Sequence, residues 1–141
     1  MGYDADNIFA RILRGEIPAH RVYEDEYTLA FMDVMPQSVG HTLVIPKAEA
    51  ESLFDLDAEM LGHLIATTQK VARAVRAAFS PPGVMIAQLN GAGAGQSVFH
   101  IHFHVIPRYH GIDLKLHARG KEDDALLADQ AAKIRAALQH D

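Results

Sequence analysis

Residues 99–106 read FHIHFHVI, an unbroken alternation of apolar side chains with His100, His102 and His104. Strict period-two alternation is the pattern of a strand with one face buried. In a strand, residues i, i+2 and i+4 share a face. The three imidazoles therefore point one way, toward a site. Ile101, Phe103 and Val105 point the other way, into a core. A chain with this segment needs a sheet that covers the apolar face and leaves the histidine face open. The pattern predicts a strand over 98–107.

The rest of the chain supplies that sheet. Four more strands are predicted: HRVYEDE (20–26) and TLAFMDV (28–34), hinged at Asp25–Glu26, then HTLVIPK (41–47) and VMIAQLN (84–90). NIFARIL (7–13) has helical spacing, with Asp6 as its N-cap and Gly15 as its stop. Leu61, Leu64, Ile65, Thr68, Val71, Val75 and Phe79 recur at three- and four-residue steps. They predict a long helix, with acids at its start, bases in its second half and SPPG (80–83) at its end. A last helix starts at Asp123 or Asp124 and runs to about Leu138. Short connections imply antiparallel pairing. The fold class is α+β: a mostly antiparallel five-stranded sheet with packed helices. Residues 1–141 form a single domain, with a core over 6–110 and a helical tail over 111–141.

Composition narrows the function. The net charge of −5 argues against nucleic-acid binding, which needs a basic face. Without cysteine there is no disulfide and no thiolate metal site. No apolar run approaches the ~20 residues of a membrane span. The N-terminal residues lack a signal-peptide core. A cytoplasmic protein without membrane or nucleic-acid partners is expected.

Three chemistries remain open for the histidine strand. A lone strand histidine is usually a packing or surface residue, but three in strict alternation are hard to assign to chance. A metal is possible, since His-x-His on a strand can bind zinc. At ~3.3 Å per residue, however, the backbones of His100 and His104 lie ~13 Å apart, so one ion takes two of the three at most unless the strand bends, and His41, His20, His63 or an acid could complete such a site. The third is nucleophilic catalysis: a neutral imidazole is a free base at pH 7 and attacks phosphorus well. The preceding NGAGAGQS (90–97) has glycines that let backbone N–H groups approach an anion. It is neither a P-loop nor a dinucleotide fingerprint. Joined to the histidines, it looks like a phosphate cradle.

HIHFHVI (100–106), the flanking Gly-Gln-Ser (95–97) and GHTLVIP (40–46) resemble the histidine triad (HIT) superfamily of nucleotide hydrolases and transferases. The resemblance covers roughly 6–110 and implies a HIT-like fold. It implies His102 as the nucleophile that takes a nucleoside monophosphate, AMP above all, from a phosphoramidate or related α-phosphate-linked substrate. His104 and Ser97 would contact phosphate and leaving group, with His100 and His41 as a supporting relay. Gly95, Gln96 and Asn90 would contact the phosphate or the bridging group, and Asp33 the ribose hydroxyls. Ile8, Phe9, Ile12, Phe31 and Val34 would form the base pocket of a purine nucleotide. The resemblance also implies a homodimer. Some relatives carry a Cys-x-x-Cys zinc site, but here Asn7 and Ala10 stand in its place, so no such metal and no cofactor are expected. Dinucleoside polyphosphate hydrolysis, nucleotidyl transfer, a zinc hydrolase and a non-catalytic nucleotide-binding or adaptor protein remain alternatives.

Overall fold

The computed structural model describes residues 2–114 and 120–139, and within them five strands form one antiparallel sheet. The strands are β1 (Arg21–Glu24), β2 (Thr28–Met32), β3 (Thr42–Pro46), β4 (Gly83–Gln88) and β5 (Phe103–Arg108). Their order across the sheet is β1-β2-β3-β5-β4. Helices α1 (Ile8–Leu13), α2 (Ala58–Phe79) and α3 (Asp124–Leu138) pack on it. The expected α+β architecture is found.

Local chemistry sets the boundaries. The Asp25 carboxylate accepts the N–H groups of Tyr27 and Thr28, both at 2.8 Å, and turns β1 into β2. Asp57 caps α2 by accepting from the Met60 N–H at 2.8 Å. Ser80 ends α2 in the left-handed conformation, φ 47°, ahead of two prolines that cannot continue it. The cap of α1 differs from expectation. Asn7, not Asp6, accepts from the N–H groups of Phe9 and Ala10, because the Asp6 N–H is tied back to the Asp4 carboxylate.

The two faces of the sheet are covered unequally. The stripe Leu64, Val71 and Val75 of α2, with Leu127 and Ile134 of α3, packs on Val44 and Val105. A buried hydrogen bond of 2.8 Å between the Thr28 and Thr67 hydroxyls pins β2 to α2. The other face carries Leu29, Phe31, Leu43 and Ile45 and meets Phe9 and Ile12 of α1. Six residues of helix cannot cover a five-stranded sheet, so part of this face stays open. That opening is where the site lies.

The histidine strand departs from expectation. The β5 ladder begins at Phe103, so only His104 of the three histidines belongs to it. Residues 97–102 leave the sheet because their polar groups find other partners. The Ile101 N–H bonds to the Ala50 carbonyl at 2.9 Å, and the imidazoles of His100 and His102 bond to backbone carbonyls. Ile101 and Val105 are buried as expected. The described residues contain no helix long and apolar enough to cross a membrane.

Candidate active site

The open part of the α1 face is a cleft of about 550 Å³, a volume suited to a small ligand. Ile8, Phe9 and Ile12 of α1 and Phe31, Val34 and Asp33 around the end of β2 line it. Ser97, His102 and His104 close one end. Most of the residues assigned to the site from sequence thus share one cavity. His41 lies directly behind His104. His100 does not face the cleft. The alternation argument put all three imidazoles on one exposed face. Instead His100 is fully buried on the far side and His102 is 6% exposed.

The hydrogen bonds fix which nitrogen of each ring carries the proton. The backbone N–H of Gln37 donates to His41 Nδ1 at 3.0 Å, so the His41 proton sits on Nε2. That proton points at His104 Nδ1, 3.0 Å away, with Asp33 Oδ2 at 3.4 Å from the same nitrogen. His104 Nδ1 is therefore an acceptor, and its Nε2–H is a donor. His102 is the reverse. Its Nδ1–H donates to the His100 carbonyl at 2.7 Å, which leaves Nε2 as a bare lone pair. The edge of the His102 ring packs on Phe9, centroids 4.9 Å apart, and its ring lies 5.0 Å from that of His104. The cleft thus holds one basic nitrogen beside one N–H donor. His100 holds the frame: its Nε2–H donates to the Pro46 carbonyl at 2.8 Å, and its Nδ1 accepts the Tyr3 hydroxyl at 2.5 Å.

Burial keeps these rings neutral. It pushes His41 down to about 3, assisted by His104 and His102, and His104 down to about 4, assisted by His102. Burial also lowers His102 and His100, each opposed by its bond to a carbonyl. Burial raises the Asp33 carboxyl to about 6, against the pull of the Met35 N–H. At pH 7 Asp33 is charged and His41 is not, so their contact is a hydrogen bond from a neutral ring and not an ion pair.

Asp33, His41 and His104 bring ligand atoms within 4.8 Å of one another, a spacing that could hold a metal ion. The proton pattern opposes it. A metal on His41 Nε2 would need that ring to lose its only proton while Nδ1 still accepts from Gln37. The cluster fits a hydrogen-bond relay better than a metal centre.

The glycine turn spends several of its backbone donors on itself. Residues Ala92–Ala94 form a 3-10 turn, and the N–H groups of Ala94, Gly95 and Gln96 bond to carbonyls inside it. Gly95 is needed for its φ of 101°. Gln96 is buried and fully engaged: its oxygen accepts from Gly91 N–H, and its amide donates to the Glu51 and Val98 carbonyls. Asn90 is likewise engaged, with Gln88 and the Leu53 N–H. Gly95, Gln96 and Asn90, assigned to the phosphate from sequence, hold the loop and lie outside the cleft lining. The loop instead presents Ser97, exposed and without a hydrogen bond to the other described residues. Gly40 is the second glycine with a fixed duty. At φ 94° it turns the chain into His41, and a Cβ there would lie 2.9 Å from the Phe79 ring.

Sequence reasoning missed Tyr3, a single aromatic residue in no periodic pattern. It gave no place in the cleft to Lys121 and Asp124 and named His20 only as a residue that could complete a metal site; all three line the cleft and come from two distant parts of the chain.

Comparison with known proteins agrees with this geometry. The HIT domain profile matches residues 14–111. Protein hit of Bacillus subtilis is 47% identical over 102 residues, 72% of this chain and 70% of that one. An adenosine 5′-monophosphoramidase of Schizosaccharomyces pombe is 39% identical over 101 residues, 72% and 73% of the two chains. A crystal structure of a HIT-like protein from Bartonella henselae superposes with a TM-score of 0.90 at 48% identity, covering 96% of this chain and 99% of that one.

Proposed function

The chain belongs to the histidine triad (HIT) family, and from that premise we propose that it releases a nucleoside 5′-monophosphate from a phosphoramidate through a covalent nucleotidyl-His102. The observation that carries this reading is the hydrogen bond from His102 Nδ1–H to the His100 carbonyl, which leaves Nε2 unprotonated in the cleft. His102 Nε2 attacks the α-phosphorus, the bond from phosphorus to the leaving nitrogen breaks, and that nitrogen takes a proton through the Ser97 hydroxyl. The His104 Nε2–H stabilises charge on a phosphoryl oxygen, and the His100 carbonyl stabilises the charge that develops on the His102 ring. Water then attacks the phosphorus and gives up the proton that restores the Ser97 hydroxyl, the monophosphate leaves and His102 regains its lone pair. Asp33 accepts the ribose hydroxyls, and the apolar residues of α1 and β2 enclose the base.

The test is AMP release from adenosine 5′-phosphoramidate in EDTA, with wild type beside His102→Ala. Turnover by the wild type and a loss of about 10⁴-fold or more in the variant are expected. The circular dichroism of the variant should remain native. An active variant, or an inactive wild type, would refute the mechanism. The same reading includes a homodimer, in which the uncovered edge of β4, with Ile86 exposed, pairs with its copy. Sedimentation at the mass of one chain would remove that part.

A further inference from the structure

The cleft has a second polar end. His104 on β5 lies opposite Leu43 on β3, Leu43 opposite Phe31 on β2, and Phe31 opposite Arg21 on β1. His20 immediately precedes β1, and its carbonyl accepts the Met32 N–H at 2.9 Å. Three strand spacings of ~4.8 Å therefore put His20 ~14 Å from the reactive histidines, a nucleotide-scale span. Between the two ends the floor is apolar, made by Leu43 and Phe31 under Ile8, Phe9 and Ile12.

The C-terminal segment completes that far end. The Glu122 N–H bonds to the Val34 carbonyl at 2.8 Å, and Asp124 Oδ1 lies 3.3 Å from His20 Nε2. Arg135 of α3 donates to the Arg21 carbonyl at 2.7 Å. The segment is thus fastened to both sides of the cleft mouth, and Lys121 and Asp124 line the cleft there. A nucleotide whose phosphate meets His102 lays its base along the apolar floor and turns the base edge toward these groups.

We propose that Lys121 and Asp124, the latter positioned by His20, read the edge of the base and select guanine over adenine. This rests on the nucleotide reading of the cleft given above. Guanine presents one acceptor, O6, beside two donors, N1–H and the 2-amino group. An ammonium and a carboxylate side by side satisfy all three. Adenine in the same pose sets its 6-amino donor against the ammonium and its N1 acceptor against the carboxylate, reversed at both positions. Hypoxanthine keeps O6 and N1–H but lacks the 2-amino group, so it falls between. Asp124 is largely exposed, so the discrimination is modest, about tenfold.

The test is calorimetric titration of GMP, IMP and AMP into the full chain at pH 7, for wild type, Asp124→Asn and Lys121→Ala. The expected order is GMP, IMP, AMP, with GMP about tenfold tighter than AMP. Asp124→Asn should remove most of that ratio and Lys121→Ala should weaken GMP and IMP more than AMP. Both side chains are exposed, so the variants fold. Equal binding of GMP and AMP, tighter binding of AMP, or a ratio unchanged in Asp124→Asn overturns the base-reading role and leaves the nucleotide site standing. No binding of any of the three overturns the nucleotide reading itself, and this inference with it.

Discussion

Acid should destabilise this fold well above the usual carboxylate range, and the size of the effect follows from the site. An unfolded histidine takes up a proton near pH 6.5. In the fold His41 does so only at about 3 and His104 at about 4. Between those values the unfolded chain binds more protons, so stability falls as pH falls from 6.5 toward the native values. Each group contributes about 1.4 kcal/mol per pH unit, hence about 2 kcal/mol at pH 5 and about 4 kcal/mol for the two together. Asp33 acts in the opposite sense. Its native pKa of about 6 exceeds its unfolded value, so protonation stabilises the fold as pH falls, by about 1.4 kcal/mol between pH 7 and 5. The net loss is about 3 kcal/mol, and the lowered His100 and His102 add to it. Urea unfolding at pH 7 and pH 5, at one ionic strength and one protein concentration, measures it. With an ordinary urea slope the midpoint should drop by on the order of 1–2 M at unchanged slope. A midpoint equal or higher at pH 5 would refute the account of neutral, desolvated histidines.

Two further outcomes follow from side chains behind the cleft. Tyr3→Phe removes the hydroxyl that donates to His100 Nδ1 and so loosens the carbonyl that holds His102. Because Tyr3 does not line the cleft, kcat should fall roughly 10-fold with KM unchanged; a change confined to KM would show that Tyr3 acts on substrate binding instead. Gln96→Ala strips partners from the Gly91 N–H and the Glu51 and Val98 carbonyls, which should cost about 2–4 kcal/mol in denaturant unfolding. A loss under about 0.5 kcal/mol would mean that the loop is held by its internal turn alone.

What was legible in the sequence was whatever repeats at short range. Helix α2 announced itself by its three- and four-residue steps, and the β1–β2 hinge by Asp25. Even the apolar side of the histidine segment came out correctly at Ile101 and Val105. The failures share one cause, a partner far away in the chain. Alternation cannot distinguish an extended segment in a ladder from one outside it. The choice at residues 98–102 was made by the carbonyls of Ala50 and Pro46, some fifty residues upstream. The glycines of GAGAG were read as open donors because nothing local says that the turn closes on its own carbonyls. Gln96 looked like a ligand for phosphate, and its buried partners at Glu51 and Val98 were invisible. His41 stood out only as one of several histidines that could complete a metal site, and its place in a relay came from the resemblance of GHTLVIP.

The departure from the ladder is what gives the alternation its chemistry. Three imidazoles on an exposed strand face would have equivalent surroundings, titrate near 6.5 and leave their protons undirected. Here each ring meets a different partner through Nδ1. For His102 the partner is a carbonyl, which must accept, so the ring keeps its proton there and presents a bare Nε2. For His104 the partner is the His41 Nε2–H, itself fixed by a backbone N–H from Gln37, so the ring gives up that position and presents an Nε2–H. A bare lone pair and a hydrogen-bond donor thus sit side by side from the same residue type two positions apart. Their protons are assigned by backbone groups that do not titrate, and desolvation holds both rings neutral through the physiological range. His100 is the member of the motif that never meets the cleft. Buried between Tyr3 and Pro46, it fixes the carbonyl on which the orientation of His102 depends.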